Sequence, residues 1–287
     1  MSKIFHPLSR KELVMTIKNL TDERRIPWVL NIPEHITKVV VHNGQFHADD
    51  VFCVAILKEC YNENITVKRV PRNAVFDKYG YETLVCDVGM EYDGVRKFDH
   101  HQIPRHTLRS NELRAAIGLL WDTYGNDIYH RLTSLIRDVD KHDIDCRQFR
   151  SQLCVSIGAF NPDWNATDKE RDECFDMAVD VARQIIRATV ISDTHNMRAI
   201  RQISEHHTIE GSVMFLDTNA PYDQLISSYD VKIVARFNKD RYQLKAVNGH
   251  SFNPRWSGNP PFENMSMSNW IVETPSKDVV LKLAKII

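Results

Sequence analysis

No stretch of this 287-residue sequence is long and apolar enough to span a bilayer, so no membrane partner is expected. The opening residues, MSKIFHPLSRKELVMTIKNL, have neither an uninterrupted apolar region nor a small-residue cleavage site, so a secretory signal is not expected either. Excess charge of one sign is missing. The 37 lysines and arginines face 38 aspartates and glutamates, which argues against whole-molecule attraction to long nucleic acid but leaves a local basic patch open. The six cysteines (Cys53, Cys60, Cys86, Cys146, Cys154, Cys174) form no C-x-x-C pair and no regular framework. Scattered thiols point to a reducing, cytoplasmic compartment. There is no internal repeat or low-complexity tract, and no G-x-S-x-G or Cys-His pattern to supply a side-chain nucleophile. What remains is an ordinary soluble composition, 43% apolar and 26% charged, in a chain long enough for one large domain or two moderate ones.

Residues 9–25 carry Leu13, Ile17 and Leu20 at helical spacing behind Ser9, which predicts a leading helix within an N-terminal extension, residues 1–37. KVVVH then predicts a strand, DDVFCVAILKECY an amphipathic helix, ITVKRV and ETLVCDV two further strands. That β-α-β-(α)-β order implies α/β architecture with a parallel, doubly wound, Rossmann-like sheet, whose strand C-termini are where ligands usually bind. A helical insertion is expected next, in SNELRAAIGLLWDTYG, DIYHRLTSLIRDVDKHD and a long helix from Lys169 to Ile209. From Gly211 the period changes to strands SVMFLD, VKIVARF and YQLKAV, a loop-like NGHSFNPRWSGNPPFENMSMSN, and a closing helix SKDVVLKLAKII. The expected division is residues 1–37, 38–210 and 211–287, the last a smaller α+β domain.

Four clusters of costly polar residues lie in the first half: His42, His47, Asp49 and Asp50 in HNGQFHADD; Asp87 ending TLVCD; Asp99-His100-His101; and Asp138, Asp140 and Asp143 on one helix. Each alone has an unremarkable reading, as a helix-start charge, a turn residue, a solvated pair or an exposed face. Asp50 is expected to do little more than start its helix. Together the clusters point to a site, because the first two should converge at the C-terminal edge of adjacent parallel strands. Imidazoles mixed with carboxylates and no thiolate suit Mn²⁺ before Mg²⁺, Co²⁺ or Fe²⁺. With His42, His47, Asp49, Asp87, His100 and Asp140 as ligands, three carboxylates would face two divalent ions and leave roughly one net positive charge, enough to attract a phosphate and acidify a water.

The order His-x4-His-x-Asp, strand-end Asp, Asp-His-His and helix Asp resembles the DHH phosphoesterase superfamily, and most closely the melanocyte-proliferating-gene (MYG) family, with its "FH-x-D-[ED]" and "DHHQ" segments. FNPDWN, FLDTNAPYDQL and RYQLKAV extend the likeness over roughly residues 38 to 250. The resemblance implies a two-metal, Mn²⁺-type phosphodiesterase, a 3′-to-5′ exonuclease on RNA or oligonucleotides. By position, His42, His47 and Asp87 would hold one ion. Asp49, Asp87, His100 and Asp140 would hold the other, Asp140 being preferred to Asp138 and Asp143 because VDK matches the family's "VDN". His101 would contact the scissile phosphate and Asp99 would brace its loop. The sequence departs from the family where a glycine-rich, histidine-containing stretch should precede the last helix, which here reads NWIVETPSKDVV.

Candidates for substrate contacts are Arg105 and Arg109 just after the histidine pair, with His250 in NGHS as a partial substitute for the missing stretch. The competing reading of NGHS is a turn. Trp164, Trp256 and Tyr242 are the aromatics suited to base stacking, although Trp164 also reads as a packing anchor. A hydrolase of small phosphoanhydrides or cyclic dinucleotides, and a non-catalytic nucleotide-binding module, are the alternatives on the same frame. Self-association as a homo-oligomer is left open.

Overall fold

The computed structural model describes residues 29–74, 79–102, 113–145, 147–223, 225–268 and 271–287. The expected leading helix, and Arg105 and Arg109, lie outside these residues. The chain is a mixed α/β protein that divides into two units near residue 194.

In the first unit, β1 (Lys38–His42), β2 (Thr66–Val70), β3 (Thr83–Cys86) and β4 (Lys97–Phe98) form a parallel sheet in the order β2-β1-β3-β4. Val39, Val40 and Val41 of β1 are all buried, as expected of a strand covered on both faces. Each such side chain contributes about 1.5–3 kcal/mol relative to exposure. Helix α1 (Ala48–Cys60) follows β1 and is buried around nearly its whole circumference from Ala48 to Leu57, so it is a core helix and not the amphipathic surface helix expected. It packs among α2 (Ala116–Tyr124), α3 (His130–Ile144) and α4 (Gln152–Gly158). The buried Asp193, on the long α5 (Asp168–Glu205), accepts from the backbone N–H groups of Arg131 and Leu132, satisfying the open donors of the first turn of α3.

In the second unit, β5 (His207–Glu210), β6 (Val213–Leu216), β7 (Ile233–Asn238), β8 (Arg241–Ala246), β9 (Ser266–Ser268) and β10 (Ile271–Thr274) form a sheet ordered β5-β6-β7-β8-β10-β9. Only the β6–β7 pairing is parallel. Period-two alternation places Val213, Phe215, Ile233, Ala235 and Leu244 in one core with Val280 and Leu283 of α6 (Lys277–Leu283). Met214, Leu216 and Val234 pack on the other side with Ala199 and Ile203 of α5.

Two expectations need correction here. The long helix stops at Glu205, and residues 207–210 turn back as β5 against β6 through Gly211, whose φ of 58° suits a tight turn. The stretch read as loop holds a 3₁₀ turn at Pro254–Ser257, capped by Asn253, and ends in β9.

Candidate metal centre

Strand β1 ends at His42, which is fully buried. Its Nδ1–H donates to Asn43 O at 2.9 Å, a bond that turns Nε2 inward. Nε2 lies 3.2 Å from Asp50 Oδ2 and 3.1 Å from Asp87 Oδ2. Asp87 directly follows β3, and its N–H still donates to Phe98 O at 3.0 Å. Its φ of 54° is left-handed, a conformation Asp tolerates better than most residues but at a cost of about 1 kcal/mol or more. In that conformation the other oxygen, Oδ1, stands 3.3 Å from His100 Nε2 and 3.5 Å from His101 Nδ1. Three imidazoles thus surround one carboxylate.

Asp99 is the brace of the neighbouring loop. Its Oδ2 accepts from Met90 N–H at 2.6 Å, and its Oδ1 accepts from both the backbone N–H and Nδ1–H of His101, at 3.1 and 2.7 Å. Those bonds outweigh burial and lower the Asp99 carboxyl, while the same bond to Asp99 raises His101.

His47 is the N-cap of α1 and half exposed, and Asp49 and Asp50 follow inside its first turn. Asp50 Oδ1 accepts from the N–H groups of His47 and Val51, which is the helix-start role expected of it. The expectation is incomplete, however, because the buried Oδ2 faces His42. Burial raises the Asp50 carboxyl to about 7 even though His42 opposes the shift. Asp49 is pushed well above its ordinary range by burial and then by Asp87 and Asp143. Asp87 goes the other way: burial would raise it, but the imidazoles of His100 and His42 hold it well below the usual carboxylate range. Burial pulls His42 down, yet Asp87 and Asp50 together lift it to about 9.

Asp140 does not join this cluster. Its Oδ1 accepts from Ala115 N–H at 2.7 Å at the start of α2, and its Oδ2 lies 3.5 Å from Arg114 Nη1. Asp138 is exposed. Asp143, one turn further along α3, is the acid that reaches the cluster, with Oδ2 at 3.4 Å from His100 Nε2 and Oδ1 at 3.9 Å from His47 Nδ1. His250 sits exposed in the turn after β8, where Asn248 and Gly249 have φ of 52° and 82°. Trp164 is exposed rather than a packing anchor, Trp256 packs on the second unit's core, and Tyr242 stacks near Phe215 and Phe237.

The donor set fits divalent cations. Candidate ligand atoms lie within 4.8 Å of one another in three groups: His42, His47 and Asp87; Asp87, His100 and His101; and His47, Asp49 and Asp143. Asp87 and His47 are each shared between two groups. Buried atoms here that make no aligned hydrogen bond include His42 Nε2, both oxygens of Asp49, Asp87 Oδ1 and both ring nitrogens of His100. Leaving so many acceptors buried and unsatisfied is costly, and a bound cation offsets that cost.

All of these residues fall in one matched segment. Residues 38–149 match the family model MYG1_exonuc, described as an uncharacterised protein family (UPF0160). Among curated proteins, the chain is 23% identical over 187 residues to a MYG1 protein of Schizosaccharomyces pombe, covering 51% of this chain and 56% of that one. It is 26% identical over 181 residues to a MYG1 protein of Saccharomyces cerevisiae, 48% and 52% of the two chains. It is 24% identical over 218 residues to the MYG1 exonuclease of Bos taurus, 62% and 55%. The chain spans about half the length of the curated relatives it matches. Among the described residues, no helix is long and apolar enough to cross a membrane.

Proposed function

We propose that this protein is a metal-dependent phosphodiesterase that degrades RNA or short oligonucleotides from the 3′ end. The observation that carries the reading is the convergence of candidate ligands from four separate segments, at and after the end of β1, after β3, after β4 and on α3, with buried atoms of His42, Asp49, Asp87 and His100 left without an aligned hydrogen bond. Relatives whose names include an exonuclease support the substrate class. His42, His47, Asp49, Asp87, His100 and Asp143 would hold two divalent ions, Mn²⁺ before Mg²⁺ or Co²⁺. Bound there, the ions would supply positive charge to a phosphoryl group and acidify water at neutral pH.

The chain's own residues set that chemistry up. Asp87 reaches two of the groups with different oxygens, which suits a ligand shared by two cations. The bond from His42 Nδ1–H to Asn43 O aims Nε2 into the cluster as the atom that would bind an ion. His101 donates Nδ1–H to Asp99, and its raised pKa favours a second proton on Nε2, suited to a phosphate oxygen. Asp50 fixes His42 and the start of α1 without itself needing to touch substrate.

The test is incubation with Mn²⁺ and end-labelled RNA, DNA, cyclic dinucleotides and pyrophosphate. Stepwise shortening of oligonucleotides from the 3′ end is expected. Turnover of pyrophosphate or cyclic dinucleotides alone would replace the exonuclease reading with small-substrate hydrolysis, and binding with no turnover would leave a nucleotide-binding module.

A further inference from the structure

The arginines of the first unit divide into those already engaged and those left open. Arg69 is engaged: its guanidinium donates to Gly44 O and Asp172 at 2.8 Å, lies 3.3 Å from His42 O, and sits over the Phe175 ring. It holds the HNGQF loop and has little left for a ligand. Arg96 donates to Gly80 O, Arg114 and Arg137 pair with Asp122, Arg171 donates to Trp164 O, and Arg187 forks onto Glu59. The side chains of Arg72, Arg131, Arg147 and Arg150 differ, since among the described residues none has a carboxylate or carbonyl partner, and two of them, Arg72 and Arg150, matter here.

Both lie beside the candidate metal centre. Val70 is in register with His42, and Asn43 N–H donates to Val70 O at 2.8 Å, so Arg72 emerges two residues beyond at the same sheet edge. Arg150, in the connection between α3 and α4, lines a cavity of about 350 Å³ together with Gln45, His47, Asp143, Val155 and Asn161. Two of those, His47 and Asp143, belong to the cluster itself. The cavity wall is fixed, because Asn161 bonds both the N–H and the O of Phe46, and His142 Nδ1 accepts Ser151 N–H at 3.1 Å.

We propose that this cavity is the seat of a nucleotide and that Arg72 and Arg150, from two separate elements, grip successive backbone phosphates of a single strand. The proposal rests on the phosphodiesterase reading and names its substrate-gripping residues. Both guanidiniums are exposed, which leaves their donors open to an anionic ligand, and a planar fork fits a phosphodiester better than an ammonium does. Gln45 and the apolar Val155 offer the remaining wall for a sugar or base.

The test is binding of a labelled single-stranded oligoribonucleotide to the full chain in Ca²⁺, read by anisotropy across a salt series. Arg72→Ala and Arg150→Ala should each weaken binding about 10-fold, as loss of a charge-assisted hydrogen bond does. Each should also flatten the log–log salt slope by about 0.7, the value for one phosphate contact to a single strand. Arg→Lys at either position should keep the slope and recover part of the affinity. Unchanged affinity and slope in the double variant, with an unchanged thermal melt, would overturn the proposal. The two readings fail separately: arginine-dependent binding without cleavage in Mn²⁺ removes the hydrolase and keeps the seat, whereas cleavage unaffected by either substitution removes the seat and keeps the hydrolase.

Discussion

Asn161 pairs with the main chain of Phe46 through both ends of its amide. Phe46 N–H donates to Oδ1 at 2.9 Å, and Nδ2 donates to Phe46 O at 2.8 Å while also reaching Gly158 O at 3.0 Å. One side chain thus stands in for a short stretch of β-ladder between segments 115 residues apart. Phe46 itself is buried against Phe175 with ring centroids 5.5 Å apart, and His47, the next residue, opens α1. The NPDWN segment therefore positions the histidine-aspartate turn from a distance.

If that is its task, Asn161→Ala should leave the fold intact with a loss of about 1–3 kcal/mol for a broken buried polar pair. Its distinctive effect should be on the cluster, with Mn²⁺ affinity falling about 10- to 100-fold, the usual cost of losing a group that supports a ligand. Asn161→Asp keeps the acceptor for Phe46 N–H but loses both donors, so it should not rescue. Isothermal titration of Mn²⁺ beside a urea melt separates the two effects. Equal Mn²⁺ affinity in wild type and Asn161→Ala would make Asn161 a purely structural contact.

Asp87 allows a cleaner separation of shape from charge. Asn is also tolerant of the left-handed backbone that Asp87 adopts, so Asp87→Asn should fold with a melting temperature within a few degrees of wild type. It removes the carboxylate shared by two of the donor groups, and turnover should fall by at least about 100-fold, more than loss of a supporting group costs. Wild-type turnover in a folded Asp87→Asn protein would dismiss the shared-ligand assignment.

The parts of this arrangement legible in the sequence are those set by short-range pattern. The strand bounds of KVVVH and the strand cores of ITVKRV and TLVCD follow from β-branched runs, and the convergence of His42 and Asp87 follows from parallel neighbours ending at one edge. The seven-residue α4 and two-residue β4 are too short to print a period. Helix α1 misleads because acids at its start and Lys58 near its end suggest a wet face, whereas three helices cover it. Asp140 and Asp143 are three residues apart on one helix, about 60° in projection, so spacing alone cannot choose between them. The choice is made by Arg114 and Ala115, which claim Asp140 from outside its own helix.

That competition makes the two acids separable by experiment. Asp143→Asn should weaken Mn²⁺ binding and activity, while Asp140→Asn should leave both close to wild type, because Asn keeps an acceptor for Ala115 N–H. Asp140 should appear in the pH dependence of stability. Burial, only partly opposed by Ala115 N–H and Arg114, raises its carboxyl from 3.8 to about 6. The folded state thus holds this proton more tightly than the unfolded chain does. The resulting stabilisation is fully present below about pH 4 and lost as pH rises through about 6. The wild type should lose on the order of 1–3 kcal/mol relative to Asp140→Asn across that window. Urea unfolding of both proteins from pH 4 to 7 checks it, and parallel curves would refute the assignment.

Gly118, on α2, supplies the last test of the same corner. A Cβ built there would lie 2.2 Å from Asp140 Oδ1 and 2.5 Å from its Cγ, so the glycine is kept for room and not for backbone freedom. Helix propensity alone would favour Gly118→Ala by roughly 0.5–1 kcal/mol. The steric conflict should reverse that sign, because the carboxylate cannot withdraw without giving up Ala115 N–H. Gly118→Ala should therefore destabilise by about 1–3 kcal/mol, the range for overpacking a filled interior. In an Asp140→Ala background the clash is gone, and the same substitution should become neutral or stabilising. A double-mutant cycle of urea melts gives the coupling directly, and additive effects would show that Asp140 is not what fills the space above Gly118.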